Sequence, residues 1–168
     1  RIQPVILDSM ETMAEAYQSG RCDAMTTDAS QLAALRVSAM RDPSAHAILP
    51  ERVSKEPLGP MVRRGDEAWG AIARYVLMAQ IQAEELGITQ ANAEEIRATT
   101  KDPDAKRLLG AEAGLGKALG LDEDWAFRAI RAVGNYGESF DRHLGRSSPI
   151  GLDRGLNDLW TRGGLKIG

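Results

Sequence analysis

Cysteine occurs once, at Cys22, and histidine twice, at His46 and His143. Neither an internal disulfide nor a Cys/His metal site of ordinary spacing can be assembled from that stock. Aromatic residues make up only 5% of the chain, and 21 basic residues are outnumbered by 24 acidic ones. A basic face of the kind that binds nucleic acid is therefore not expected. Long apolar runs are missing too: none approaches the roughly 20 residues of a membrane helix. No basic start, apolar middle and small-residue cleavage site opens the chain. It begins at Arg1 and has no methionine before Met10, so further residues upstream are expected.

What is present suits a folded protein. Hydrophobic residues are 43% and charged residues 27% of the 168 positions, ordinary globular composition, and the length suits one domain or two small lobes. The first fifty residues alternate. "PVILDS" from Pro4 has the apolar density of a buried strand, and Ser9 to Gly20 then carries a helix's N-cap serine, an acidic first turn and a terminal glycine. "CDAMTT" is again extended, "DASQLAALRVSAM" helical with Leu32, Leu35 and Ala39 on one face, and "HAILP" a third strand. That order predicts an α/β fold with parallel strands.

Pro50, Pro57, Gly59 and Pro60 then interrupt regular structure and mark a segment crossing between two bodies. "MVRRGD" predicts a strand leading into a helix over Asp66–Leu86, whose buried stripe is Trp69, Ile72, Ala73, Val76, Leu77 and Ile81. The remainder is mostly helical: "TQANAEEIRATT" capped by Thr89, then "PDAKRLLG". One long helix over Asp122–Leu144 follows, with Trp125, Ala129, Ile130, Val133, Tyr136, Gly137 and Phe140 on its stripe, and a short final helix lies in "LDRGLNDLWTRGG". Gly134 and Gly137 inside the long helix each cost about 1 kcal/mol relative to alanine, so close backbone packing is expected there.

Candidate chemistry is sparse. "GAEAGLGKALG", residues 110–120, falls short of a phosphate loop, which would need glycine at Ala111 and a hydroxyl at Ala118. "DEDW" lacks the spaced oxygens of a calcium loop, and its acidic residues suit a helix start. No nucleophile elbow occurs, and no cofactor or metal is implied. Asp28 differs from these, because it closes a predicted parallel strand where a helix begins, the crevice edge at which open α/β sheets bind ligands. Two roles stay open on the residues alone: an N-cap, accepting from backbone N–H groups near Ser30 and Gln31, or a carboxylate that captures a ligand's ammonium.

"YQSGRCDAMTTD", "SQLAALR", "ILPERVSKEPLGPMVRRGD", "WGAIARYVLMAQIQAEELGIT", "GLDEDWAFRAIRAVGNYGESFDRHLG" and "PIGLDRGLNDLWTRGGL" together resemble the carboxyl-terminal half of general L-amino-acid-binding proteins. These are periplasmic solute receptors of polar amino acid ABC importers. The resemblance covers nearly the whole chain and implies a two-lobed flytrap without catalysis, a parallel-strand α/β segment followed by a mostly helical one. Residues 1–53 would form part of the ligand-binding second lobe, 54–60 a hinge with Lys55, Glu56 and Pro57, and 61–168 the end of the first lobe. It further implies that Asp28 holds the α-ammonium of a free L-amino acid, with Thr27 and Thr26 lining the pocket. Cys22 would be one half of a disulfide whose partner lies in the absent half.

In the family, the groups that grip the ligand's α-carboxylate also lie in that half, so weak or absent binding is expected of this chain alone. The implied partners are a membrane permease and, because uncovered apolar edges are expected, a second copy or the missing half. Two rival readings remain: a fragment without a transport role that self-associates, and a dehydratase-like enzyme on the same fold, for which no acid/base group facing Asp28 can be named.

Overall fold

A computed structural model describes residues 2–54 and 58–168. Among the described residues seven α-helices follow one another: α1 Met10–Gln18, α2 Ala29–Ser38, α3 Glu67–Glu85, α4 Ala93–Thr99, α5 Pro103–Leu108, α6 Trp125–Val133 and α7 Tyr136–His143. Single 3-10 turns lie at Pro43–Ala45, Lys117–Leu119, Gly155–Asn157 and Trp160–Arg162. Lys55, Glu56 and Pro57, where the hinge is expected, lie outside the described residues.

The helix starts follow local chemistry. Ser9 accepts from Thr12 N–H at 3.2 Å to open α1, and Asp66 accepts from Trp69 N–H at 3.0 Å to open α3. Asp102 accepts from Asp104 and Ala105 to open α5, with Pro103 at its first position, where a missing N–H costs nothing. The α3 helix ends on Gly87, which takes a left-handed φ of 67° while Ile88 N–H returns to Ala83 O at 2.7 Å.

The core gathers around the carboxyl-terminal half of α3. Ala79 and Ala83 meet Ile88, Ala93, Ala105, Leu108, Leu109, Ala126, Phe127 and Ile130, with Leu86, Ile96 and Trp125 packed at the margin. Small residues on α3 let α6 and α7 approach, and Ile88, Leu109 and Ile130 are fully enclosed, each stabilising by roughly 1.5–3 kcal/mol. The first half of α3 lies outside this core. Trp69, placed on its buried stripe by periodicity, is 56% exposed, and Ile72, Ala73, Val76 and Leu77 are only half-buried.

Three other expectations are corrected. The helix over Asp122–Leu144 is two helices: Gly134 takes φ 82°, and Asn135 caps α7 in a reciprocal box with Glu138. Asn135 also donates to Ile88 O at 2.8 Å, while Glu138 accepts from Gln90 N–H at 3.0 Å, so the break is fixed by contacts 47 and 48 residues away. Thr89 is not the N-cap of α4; Asn92 holds that position, and the two residues exchange bonds between backbone N–H and side-chain oxygen. The final helix is instead two 3-10 turns closed by a single parallel bridge, Leu159 to Lys166.

No strand forms among the described residues. "PVILDS", "CDAMTT", "HAILP" and "MVRRGD" are the right composition for strands, but a strand exists only when a neighbour completes its ladder. These segments have no neighbouring strand among the described residues. Several of their apolar side chains stand open, Ile6 at 93%, Met61 at 97% and Leu49 at 68% exposed, as do Ile2, Val53 and Leu58 in the adjoining stretches, while Leu7, Met25 and Ile48 are half-buried. The parallel-sheet expectation is thus unconfirmed.

Candidate functional site

The stretch Cys22–Thr27 runs from the end of α1 to the start of α2. Arg21 and Cys22 N–H both return to Ala16 O, at 2.9 and 3.1 Å, and turn the chain out of α1. The Gln18 side chain donates to Ala39 O and accepts from Arg41 N–H, both at 3.2 Å, tying the ends of α1 and α2 together. Tyr17 and His46 share a 2.9 Å hydrogen bond between the phenol oxygen and Nδ1. Cys22 is a half-buried free thiol, and the partner that the resemblance implies for it lies outside these 168 residues.

Asp28 occupies the N-cap position of α2, and its backbone oxygen accepts from Leu32 N–H at 2.9 Å. Its side chain makes no capping bond. The contrast with other N-cap aspartates is informative. Asp42, Asp66 and Asp102 each accept from a backbone N–H of their own first turn, and Asp124 is paired with Arg128 at 2.8 Å. Asp28 is half-buried, and its carboxylate has neither hydrogen bond nor ion pair among the described residues. The capping role that its position suggests is therefore unfilled.

Thr27 lies beside it, half-buried, and its hydroxyl donates to Gln31 Oε1 at 2.6 Å. Thr26 is exposed. Thr27 and Asp28 thus meet at the first turn of α2, and Thr26 is the outer member of the trio. The sequence singles out Gln31 only for its backbone N–H, although the four-residue spacing of its side chain from Thr27 at a helix start is visible there. No cluster of three or more Cys, His, Asp or Glu side chains suited to a metal occurs among the described residues.

A cavity of about 320 Å³ lies elsewhere, lined by Gly137, Phe140, Asp141 and Arg154, and none of Thr26, Thr27 or Asp28 borders it. It is a surface depression beside a structural ion pair. The uncapped carboxylate is the better guide to ligand chemistry, because a depression alone selects nothing.

The glycine-rich loop has a different occupant from the phosphate its composition first suggests. Gly114, Gly116 and Lys117 N–H donate to the Glu123 carboxylate at 2.7, 3.3 and 3.2 Å. The bonds from Gly114 and Lys117 are the main cause of a Glu123 pKa held below its ordinary value, with Gly116 and the Lys117 charge adding to it. The loop thus cradles the chain's own anion, whereas Asp122 pairs with Arg128 at 2.6 Å.

No protein-family model matches the chain. Individual proteins do. The general L-amino acid-binding periplasmic protein AapJ of Rhizobium johnstonii is 48% identical over 165 residues, covering 97% of this chain and 48% of that protein. The putative amino-acid ABC transporter-binding protein YhdW of Escherichia coli is 47% identical over 163 residues. The glutamate/glutamine/aspartate/asparagine-binding protein BztA of Rhodobacter capsulatus is 53% identical over 151 residues, 90% of this chain. Among solved structures, an ABC transporter periplasmic binding protein from Brucella ovis with glutathione bound superposes with a TM-score of 0.89 at 51% identity. That match covers 97% of this chain and 51% of that one. The chain is therefore homologous to amino-acid ABC transporter-binding proteins, as the resemblance implied, and spans about half the length of the curated relatives it matches. AapJ and BztA are named as amino-acid-binding proteins and YhdW as a putative ABC transporter-binding protein; none of the three is named as an enzyme.

Proposed function

We propose that this chain, homologous over nearly its whole length to amino-acid-binding components of ABC transporters, carries the ammonium-gripping part of a receptor that delivers an α-amino compound to a membrane permease. The observation that carries this reading is Asp28: a half-buried carboxylate at a helix start that, unlike the other N-cap aspartates described above, engages neither backbone N–H nor cation among the described residues. Such a group suits a ligand's –NH₃⁺, to which a charge-assisted hydrogen bond contributes roughly 1.5–3 kcal/mol. Thr27 supports it from the same turn, and Thr26 lines the approach.

The work of such a receptor is differential binding. A ligand held between two lobes favours the closed form, and the closed form is what a permease recognises. Residues 1–53 belong to the ammonium-binding lobe in this reading, 54–60 to the link, and 61–168 to the other lobe, in the periplasm. The α-carboxylate is then gripped by groups outside these 168 residues. The bound glutathione of the Brucella ovis protein widens the ligand class. Its γ-glutamyl end presents the same free α-ammonium and α-carboxylate as glutamine, so one acceptor pair serves a free amino acid or a γ-glutamyl peptide.

Calorimetry on the protein as its gene encodes it, with an amino acid panel and glutathione, tests this. Asp28→Asn should weaken the best ligand by about tenfold or more, with the ligand-free melting temperature little changed. Unaltered affinity would return Asp28 to a merely structural position.

A further inference from the structure

A threonine hydroxyl has one proton and two lone pairs. Thr27 gives that proton to Gln31 Oε1 at 2.6 Å, which leaves its oxygen only as an acceptor. Asp28, the next residue, is a carboxylate and also only an acceptor. Gln31 is the third residue of α2, Ala29–Ser38, where a glutamine ordinarily reaches back to the N-cap backbone N–H to complete a capping box. Here it is turned to the hydroxyl of the residue before the cap.

We propose that Gln31 is a specificity-determining residue: by taking the Thr27 proton it fixes the polarity of that hydroxyl and makes Thr27 Oγ1 and the adjoining Asp28 carboxylate an acceptor-only surface. Such a surface matches an –NH₃⁺ group, which has three donors and no acceptor. An α-hydroxyl in the same place offers one donor and brings lone pairs against the Asp28 charge. Gln31 is thus a positioning residue, acting on the ligand through Thr27. The inference rests on the assignment of Asp28 as the ammonium partner, and its test keeps the two apart.

The probes are L-glutamate and L-2-hydroxyglutarate, which share both carboxylates and differ only in ammonium against hydroxyl. Their affinities are measured by calorimetry on the protein as its gene encodes it. The wild type should prefer glutamate. Gln31→Met, of similar length but with no acceptor oxygen, should reduce that preference by about tenfold. Gln31→Glu, which keeps an acceptor at the same place, should retain it, and Thr27→Val should lose it as Gln31→Met does. A helix-start role alone would weaken both probes in proportion and leave their ratio fixed. Asp28→Asn should lower glutamate affinity independently of Gln31. A ratio unchanged in Gln31→Met, with Asp28→Asn still damaging, overturns the role of Gln31 and leaves the ammonium site standing. Asp28→Asn without effect, or a wild type that binds neither probe, overturns both.

Discussion

Glu123 is held by three backbone N–H groups of a loop that contributes no apolar side chain to the buried core cluster, so an ionised carboxylate is a principal tie of residues 114–117. Its pKa is lowered in the folded state, chiefly by the Gly114 and Lys117 bonds. A lowered folded-state value means that the group's stabilising effect is present above its unfolded value, 4.5, and is lost as pH falls through the folded one. Glu123→Gln keeps one acceptor but no charge. It should melt below the wild type at about pH 6, and the gap should close as the pH drops towards about 3. Circular dichroism melts of the two proteins across that range check this, and a gap independent of pH would mean that shape rather than charge closes the loop. The acid-sensitive background from Asp42 and Asp141, whose pKa values are also lowered by nearby serines and backbone N–H groups, is common to both proteins and cancels.

The carboxyl-terminal turns are docked on α3 by one buried anion. Arg154 forks onto both oxygens of Glu84 at 3.0 Å each, and Arg162 donates to Oε1 from the other side. The Glu84 side chain is 8% and that of Arg154 18% exposed, and Asp158 completes the network. The Arg154 guanidinium also lies 5.1 Å from the Tyr136 ring centre and 5.2 Å from that of Phe140, coupling the tail to α7. Gly137 permits this approach, since a Cβ there would come within 2.8 Å of Glu84 Cδ. Deleting Arg154 removes the two-pronged partner of an enclosed carboxylate and leaves it with Arg162 alone, so Arg154→Ala should cost about 2 kcal/mol. The double change Glu84→Gln with Arg154→Met should cost less than Arg154→Ala alone. Urea unfolding gives the magnitudes, and hydrogen exchange should quicken first over residues 152–168; equal costs for single and double variants would refute the clasp. None of this was legible beforehand, because the spacing between Glu84 and Arg154 or Arg162 carries no local signal. The helix starts at Ser9 and Asp66 were legible, since capping acts within four residues. The break at Gly134–Asn135 sat in between: its glycines were noticed, but the contacts that make a corner of them come from Gln90 and Ile88, far along the chain.

At the scale of the molecule, helices and strands were read with unequal success for one reason. A helix satisfies its own backbone, so periodicity alone sufficed for α3; a strand needs a partner, and the strand-like segments have none among the described residues. The same asymmetry applies to the site. Asp28 could be picked out by its place between an extended run and a helix, yet its lack of a capping bond, and the turn of Thr27 towards Gln31, are facts of geometry. Extended backbone bearing Ile2, Ile6, Leu49, Val53, Leu58 and Met61 in the open is an adhesive edge, since unpaired N–H and C=O groups and apolar side chains both favour pairing with another chain. The 168-residue chain on its own should therefore self-associate, eluting well above its 18.2 kDa mass in size exclusion with light scattering. Adding the complementary half of a relative such as AapJ, expressed separately, should convert that material to a one-to-one complex, because native partner strands fill the edges more completely than a second copy does. Ile6→Lys should weaken both associations by placing a charge on the edge. A monodisperse monomer in which Ile6→Lys changes nothing would mean that these segments are content in water and that the apolar edge is not an interface.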